Sequence, residues 1–313
     1  MLPYRPLLLS WFFLFFTTLS IVPAAAFPVT LTDALKHQVT IPQLPRRIVS
    51  LAPNVTEILF AIGAGKRVVA DTTYCHYPAA ATTLPKIGGY LDPNVEKVAA
   101  MTPDLVIGSR GNPLDLLTRI KSLGLPVLTV DETTLDEVLR DIRLIGRAVG
   151  AEDAANKLDA RLKHRQQAIM TKTHGLSETG KPRVLFLFAL DGGLFSAGPG
   201  SFVDELIRLG GGRNIAVATN TAWPELSMEA VIAADPQVIL LLANHGTNNS
   251  LTAKTALAKL RAQSGWRTVT AVKTGRVVVM DDDAMTLPAP RLLDGLEATA
   301  RALHPELFPK KAW

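Results

Sequence analysis

Cysteine is almost absent: Cys75 is the single one in 313 residues. A chain with one cysteine has no internal disulfide, so packing must hold it together. Cys75 itself reads as a partly buried free thiol. Aromatic residues are few, at 6%. The six histidines, His37, His76, His164, His174, His245 and His304, are dispersed along the chain. A bare divalent metal needs three or four His and carboxylate ligands converging on one point, and this spacing offers no such set. Charge of one sign is also scarce. A net charge of +5, with its basic residues scattered, leaves no nucleic-acid footprint. Enzyme signatures are missing too. No G-x-S-x-G elbow follows a strand, which counts against an exported α/β hydrolase. The stretch "AGPGSF" (residues 197–202) is Gly-rich and precedes a helix. It lacks the lysine of a phosphate-binding loop, and Ser201 reads as a helix cap. No enzymatic activity is expected.

What is present starts with apolar residues, 48% of the chain. Arg5 precedes the run "LLLSWFFLFFTTLSIV" and then "PAAAF". A charged start, an apolar core and an A-x-A site describe a cleaved secretory signal over residues 1–26. The run is a little short for a comfortable membrane span. Phe27 follows the site, so a lipid-modified cysteine is not expected there. Loss of Arg5 lowers the net charge from +5 to +4. The mature chain is expected to be exported, soluble and monomeric.

The remainder alternates short β-branched runs with helical patterns. Expected strands are residues 47–52, 67–71, 104–109, 126–130, 183–189, 214–218, 237–242 and 276–281. Apolar strands separated by helices point to parallel sheets covered on both faces. Four landmarks recur in order. "NVTEILFAIGAG" (54–65) matches "SFVDELIRLGGG" (201–212), and "RVV" matches "RNI". "VEKVAAMTPDLVI" (95–107) matches "MEAVIAADPQVIL" (228–240), 133 residues later. "GLPVLTVD" (124–131) matches "TGRVVVMD" (274–281). In the first pair, Asn54 with Glu57 and Ser201 with Asp204 have capping-box spacing, and each pattern stops at a glycine cluster suited to a left-handed turn. The order implies two lobes of one α/β plan. Between them, residues 150–175 have no proline or internal glycine and many strong helix formers. Ala155, Leu158, Leu162 and Ile169 form a sparse apolar stripe. A helix of about 20 residues would be about 30 Å long, a stiff strut that discourages large hinge closure.

These features, with "RRIVSLAPNVTEILFAIGAGKRVVADTTYCHYP", "LPKIGGYLDPNVEKVAAMTPDLVI" and "GSFVDELIRLGGGRNIA", resemble the periplasmic substrate-binding proteins of ABC importers for cobalamin and iron complexes. The resemblance covers essentially all of the chain from Phe27 to the C-terminal helix. "YCHYP" and "AWPELSMEAV" look closest to cobalamin-binding members. The resemblance implies two Rossmann-like lobes (27–149 and 176–313) joined by one long rigid helix (150–175), with a ligand cleft between them. It also implies an inner-membrane ABC permease as partner, and a glutamate on each lobe that docks onto it. Those positions are Glu96 and Glu229, each two residues after an expected cap, Asn94 or Ser227. An isolated acid there would merely complement the helix dipole, worth about 0.3–1 kcal/mol. Its occurrence at both equivalent positions turns the reading towards docking.

The cleft should be lined by loops at the strand C-terminal ends. Those loops carry Tyr74, His76, Tyr77, Tyr90, Asp191, Phe195 and Trp223. By resemblance, Tyr74, Tyr90 and Trp223 face the ligand, and Asp282 and Asp283 sit in a loop that supplies polar contacts. Tyr77, before a proline, reads as structural. Aromatic walls with few charges suit a corrinoid. A ferric siderophore would want arginines aimed inward, with Arg110 first and Arg291 second. Haem would want an axial Tyr or His, for which Tyr90, Tyr74, His76 and His245 are the options. No cofactor is expected beyond the ligand itself.

Overall fold

The computed structural model describes residues 27–131, 133–243 and 251–309. The expected signal segment and His245 lie outside the described residues. Among the described residues no helix is long and apolar enough to cross a membrane.

The N-terminal lobe opens with an antiparallel hairpin of β1 (Val29–Thr32) and β2 (Gln38–Ile41). Then follow β3 (Ile48–Ser50), α1 (Pro53–Ala61), β4 (Val68–Ala70), α2 (Val95–Ala100), β5 (Leu105–Ser109), α3 (Leu114–Ser122), β6 (Val127–Val130) and α4 (Leu135–Ala148). One helix, α5 (Glu152–Thr173), crosses to the second lobe. There the order is β7 (Arg183–Leu187), β8 (Leu194–Phe195), α6 (Phe202–Leu209), β9 (Arg213–Asn214), β10 (Glu225–Leu226) and α7 (Met228–Ala234). The chain ends with β11 (Val238–Leu242), α8 (Ala253–Ala262), α9 (Thr270–Thr274), β12 (Val277–Met280), α10 (Asp282–Thr286) and α11 (Leu292–Leu303).

The two sheets have the same plan. One runs β4-β3-β5-β6 and the other β9-β7-β11-β12, and all neighbours are parallel. Counting only its own members in chain order, each sheet therefore has its second strand, then its first, third and fourth. Register extends the match to single residues. Ile48 pairs Leu105 and Val184 pairs Val238, so positions 133 apart on the third strands are equivalent. Thr102 and Asp235, also 133 apart, both adopt positive φ, 45° and 42°, just before Pro103 and Pro236. The central strands β5 and β11 are buried at every residue, as parallel strands covered on both faces must be.

Strut α5 follows its pattern: Ala155, Leu158, Leu162 and Ile169 are all buried. They belong to one apolar cluster that also holds Ile145 of α4, Leu206 of α6 and Leu293 of α11. A continuous core across the lobe junction holds the lobes together more firmly than a polar interface would. At one end α5 approaches α4 closely, because a Cβ on Gly146 would lie 2.3 Å from that of Ala155. At the other end Arg165 bonds Glu297 and Asp294 of α11, and the Thr173 hydroxyl donates to the Leu209 carbonyl at 2.8 Å.

Two local expectations fail. Asn54 does not cap α1: the helix begins at Pro53, after Ala52, with no side-chain cap. Proline at the first turn has no N–H that needs a partner, and Glu57 is engaged elsewhere, as described below. In the equivalent helix Ser201 does cap, accepting from the Asp204 N–H at 3.1 Å, but the Asp204 carboxylate accepts from Asn214 rather than closing the box. Residues 214–218 do not form a strand. Only Arg213–Asn214 pair, and Ile215–Thr219 form a 3-10 turn. Asn214 causes it: its side chain accepts from the Ala216 N–H and donates to the Ala197 carbonyl, diverting the backbone from the ladder.

Candidate functional site

Segments that follow the parallel strands of both lobes line a cavity of about 940 Å3. The N-terminal lobe contributes Pro53 and Asn54 after β3, Tyr74 after β4, Tyr90 and Leu91, and Thr133 after β6. The other lobe contributes Phe188 after β7, Ser201 and Phe202 at the start of α6, Trp223, and the turn Thr286, Leu287 and Pro288. Among these described residues Asp92 is the one charged side chain, and no Lys, Arg or His lines the cavity.

The aromatic walls are held from behind. Phe188 and Phe202 each pack on Trp223 with ring centroids 5.6 Å apart, and Phe186 meets Phe188 edge-on at 5.1 Å. Trp223 is thus fixed against the core and still 48% exposed. Opposite, the Tyr90 hydroxyl bonds the Ser109 hydroxyl at 2.8 Å. The buried Asn112 amide donates to the Tyr90 and Leu51 carbonyls and accepts from the Ser109 N–H. That bracket ties the Tyr90 loop to the ends of two strands. Asn112 was not a sequence candidate, because a lone asparagine after a strand carries no signal of where its amide points.

Tyr74 is 60% exposed on a well-anchored loop. Lys86 gathers that loop by donating to Asp71 at 2.6 Å and to the Cys75 and Ala81 carbonyls. Burial pushes the Asp71 carboxyl up, and Lys86 opposes the shift. Cys75, next to Tyr74 in the chain, is buried, with Thr56 and Thr72 hydroxyls 3.2 Å from its sulfur. Burial raises its pKa, so it is a packing thiol rather than a reactive one.

The other sequence candidates lie elsewhere. Phe195 lines a smaller recess of about 400 Å3 that shares Phe188 and Trp223 with the main cavity. Asp282 and Asp283 form the first turn of α10, and it is the far end of that helix that reaches the cavity. Asp283 pairs with Arg291 at 3.0 Å. Arg291 is not in the cavity either: it bonds Glu57 and lies over the Tyr77 ring at 4.0 Å, which makes Tyr77 a packing residue. Arg110 turns away to Asp131 and the Ala34 carbonyl, both at 2.9 Å, in a separate hollow of the N-terminal lobe. It does not aim into the cleft, because the β1–β2 turn supplies an acceptor and Asp131 a charge. Among the described residues no group of His, Cys, Asp and Glu could hold a metal.

Glu96 and Glu229 occupy the second position of α2 and α7. The caps are as expected. The Asn94 side chain accepts from the Lys97 N–H at 2.7 Å, and the Ser227 hydroxyl from the Ala230 N–H at 3.1 Å. Both glutamates are exposed. Glu96 has only a loose approach to Arg119, at 3.9 Å. Its own backbone N–H and the Ser227 hydroxyl hold the Glu229 carboxyl below the usual range, so it is charged at neutral pH.

A family described as periplasmic binding protein matches residues 48–284. The chain is 34% identical over 286 residues to an uncharacterised ABC transporter substrate-binding lipoprotein of Bacillus subtilis, spanning 90% of this chain and 87% of the relative. It is 32% identical over 286 residues to a cobalamin-binding protein of Halobacterium salinarum, spanning 90% and 75%. Its fold is similar to that of a periplasmic heme-binding protein from Roseiflexus sp. RS-1 in apo form, with a TM-score of 0.72, 28% identity and coverage of 84% and 99%.

Proposed function

The chain belongs to the periplasmic binding protein family, which it matches over residues 48–284, and from that premise we propose that it captures a corrinoid in the periplasm and delivers it to an inner-membrane ABC permease. One observation carries the choice of ligand: a cavity of about 940 Å3 with aromatic walls and no basic side chain among the described residues that line it. A ligand of net charge near zero, with a broad apolar face, fits such walls. Acidic siderophores and the propionates of haem would meet no cation there, and burying them unpaired is costly.

In this reading Tyr74, Tyr90 and Trp223 contact the macrocycle. The turn Thr286–Pro288 supplies polar backbone in place of Asp282 and Asp283. Phe195 supports Trp223 from the neighbouring recess. Because the aromatic faces are fixed before binding, little ordering cost accompanies capture. The signal over residues 1–26 directs export, the lobes divide at 27–149 and 176–313, and the strut at 150–175 keeps their spacing. Glu96 and Glu229 then meet arginines of the permease, where rim charges steer encounter and fix orientation.

Calorimetry with cyanocobalamin, haemin and a panel of ferric siderophores tests the assignment. Cyanocobalamin is expected to bind one per monomer and more tightly than the others. A second reading, haem, draws on the exposed Tyr74 ring in the cavity and on the heme-binding relative. Under it, haemin would bind with a spectrum that changes in a Tyr74→Phe variant.

A further inference from the structure

The two exposed glutamates ride on very short helices, six and seven residues long. Helices of that length have little stability of their own, so whatever closes their far ends fixes where the glutamates point. In both lobes an arginine does so. Arg47, immediately before β3, donates from Nε to the carbonyls of Met101 and Thr102 at 3.0 and 3.1 Å, and from Nη2 to Met101 again at 2.6 Å. Arg183, the first residue of β7, donates from Nε to the carbonyls of Ala234 and Asp235, both at 2.9 Å. Strand register makes Arg47 and Arg183 equivalent. Their acceptors lie five and six residues after Glu96 in one lobe and five and six after Glu229 in the other.

The backbone of each arginine is held in a matching way. The Asp104 carboxylate accepts from the Arg47 N–H at 3.0 Å, and the Gln237 side chain from the Arg183 N–H at 3.0 Å. Asp104 and Gln237 are themselves 133 residues apart. The carbonyls that end a helix are orphaned and carry its negative dipole end. A guanidinium there meets two of them at once in a fixed fork, which a lysine cannot reproduce. In the second lobe Arg183 also pairs with the Asp235 carboxylate at 3.1 Å.

We propose that Arg47 and Arg183 are positioning residues that anchor α2 and α7 to the first strand of each sheet and thereby aim Glu96 and Glu229 at the permease. This rests on the docking reading of the two glutamates. Neither arginine lines the ligand cavity, so ligand capture should be indifferent to them.

The test measures binding of the labelled, cyanocobalamin-loaded protein to right-side-out membrane vesicles from the source cells. Variants are Arg47→Met, Arg47→Lys, Arg183→Met, Glu96→Ala, Glu229→Ala, the pairs within each lobe and the Glu96→Ala/Glu229→Ala protein. Amide exchange over residues 95–102 and 228–235 is followed in parallel. Each arginine-to-Met change should weaken vesicle binding about three- to tenfold, Lys should restore it only in part, and exchange should rise in the matching helix. In a Glu96→Ala background, Arg47→Met should have no further effect, because its influence passes through that carboxylate. A simply destabilising change would add to the loss instead. Full vesicle binding by the arginine variants, with loss in the glutamate variants, overturns the inference and leaves docking intact. Full binding by the Glu96→Ala/Glu229→Ala protein overturns both. Unchanged exchange in the arginine variants overturns the anchoring whatever the vesicles show.

Discussion

The buried Glu57 carboxylate, on the first helix of the N-terminal lobe, accepts from the backbone N–H of Arg291 at 3.0 Å and from its Nε at 2.8 Å. Arg291 is the residue that starts α11, the last helix of the other lobe. The reverse link also exists. Glu205, on the first helix of the C-terminal lobe, accepts at 2.8 Å from the N–H of Leu135, which starts α4 of the N-terminal lobe. Each lobe thus lends a carboxylate from its first helix to the positive end of the other lobe's last helix. Together with the shared core, the two crossed links pin the lobes at a set spacing.

Arg291→Met should leave Glu57 buried with no counter-charge. Burial already pushes that carboxyl up, and Arg291 is what pulls it down. Without the arginine the folded-state pKa rises further above the unfolded value. Folded protein then holds the proton to higher pH than the unfolded chain, and stability falls as pH rises. Urea unfolding should show a loss of about 3–5 kcal/mol at pH 8 and a smaller loss at pH 5. Equal losses at the two pH values would mean that charge pairing is not what the contact provides.

Asp141 offers a cleaner pH dependence. It is 5% exposed, and burial, reinforced by the charge of Asp131, raises its carboxyl to about 8. Its Oδ2 has no hydrogen-bond partner. The native state is therefore protonated there across pH 4 to 8 while the unfolded chain is not, and stability declines through that window. Asp141→Asn should match the wild type near pH 4, exceed its melting temperature increasingly up to about pH 8, and hold a constant advantage above it. A constant difference across pH would contradict the assignment.

Gly146→Ala tests the α4–α5 contact. Helix propensity alone would favour alanine by about 1 kcal/mol. The Ala155 methyl occupies the space, so the variant should instead lose about 1–3 kcal/mol of stability in denaturant titration. A gain would show that the strut can shift.

Glu96→Ala with Glu229→Ala should leave ligand affinity unchanged and reduce uptake of labelled cyanocobalamin by cells that carry only the variant. Neither residue lines the cavity. Normal uptake would remove the docking role.

How much of this was legible in the chain depended on how local each signal was. The echo of "VEKVAAMTPDLVI" at residues 228–240 foretold the repeated strand order, because a helix-to-strand unit is encoded within a dozen residues. The caps Asn94, Ser201 and Ser227 and the stripe on α5 were legible for the same reason. Glu57 was not. Its spacing from Asn54 suggested a local cap, while its partner lies 234 residues away. Arg110 misled similarly: it follows a strand end that opens on the cleft, but Asp131 and the β1–β2 turn draw it elsewhere. The arginine anchors join residues about 50 positions apart. Only the paired strands make that relation visible.

Titration of cyanocobalamin into the wild-type protein and into Trp223→Ala, with haemin and ferric siderophores as competitors, decides whether the cavity takes a corrinoid. One corrinoid per monomer is expected, preferred over the competitors. Affinity at least about tenfold weaker is expected in the variant, as loss of an aromatic anchor that the ligand would cover entails. No binding of cyanocobalamin, or tighter binding of haemin or a siderophore, would contradict the corrinoid assignment.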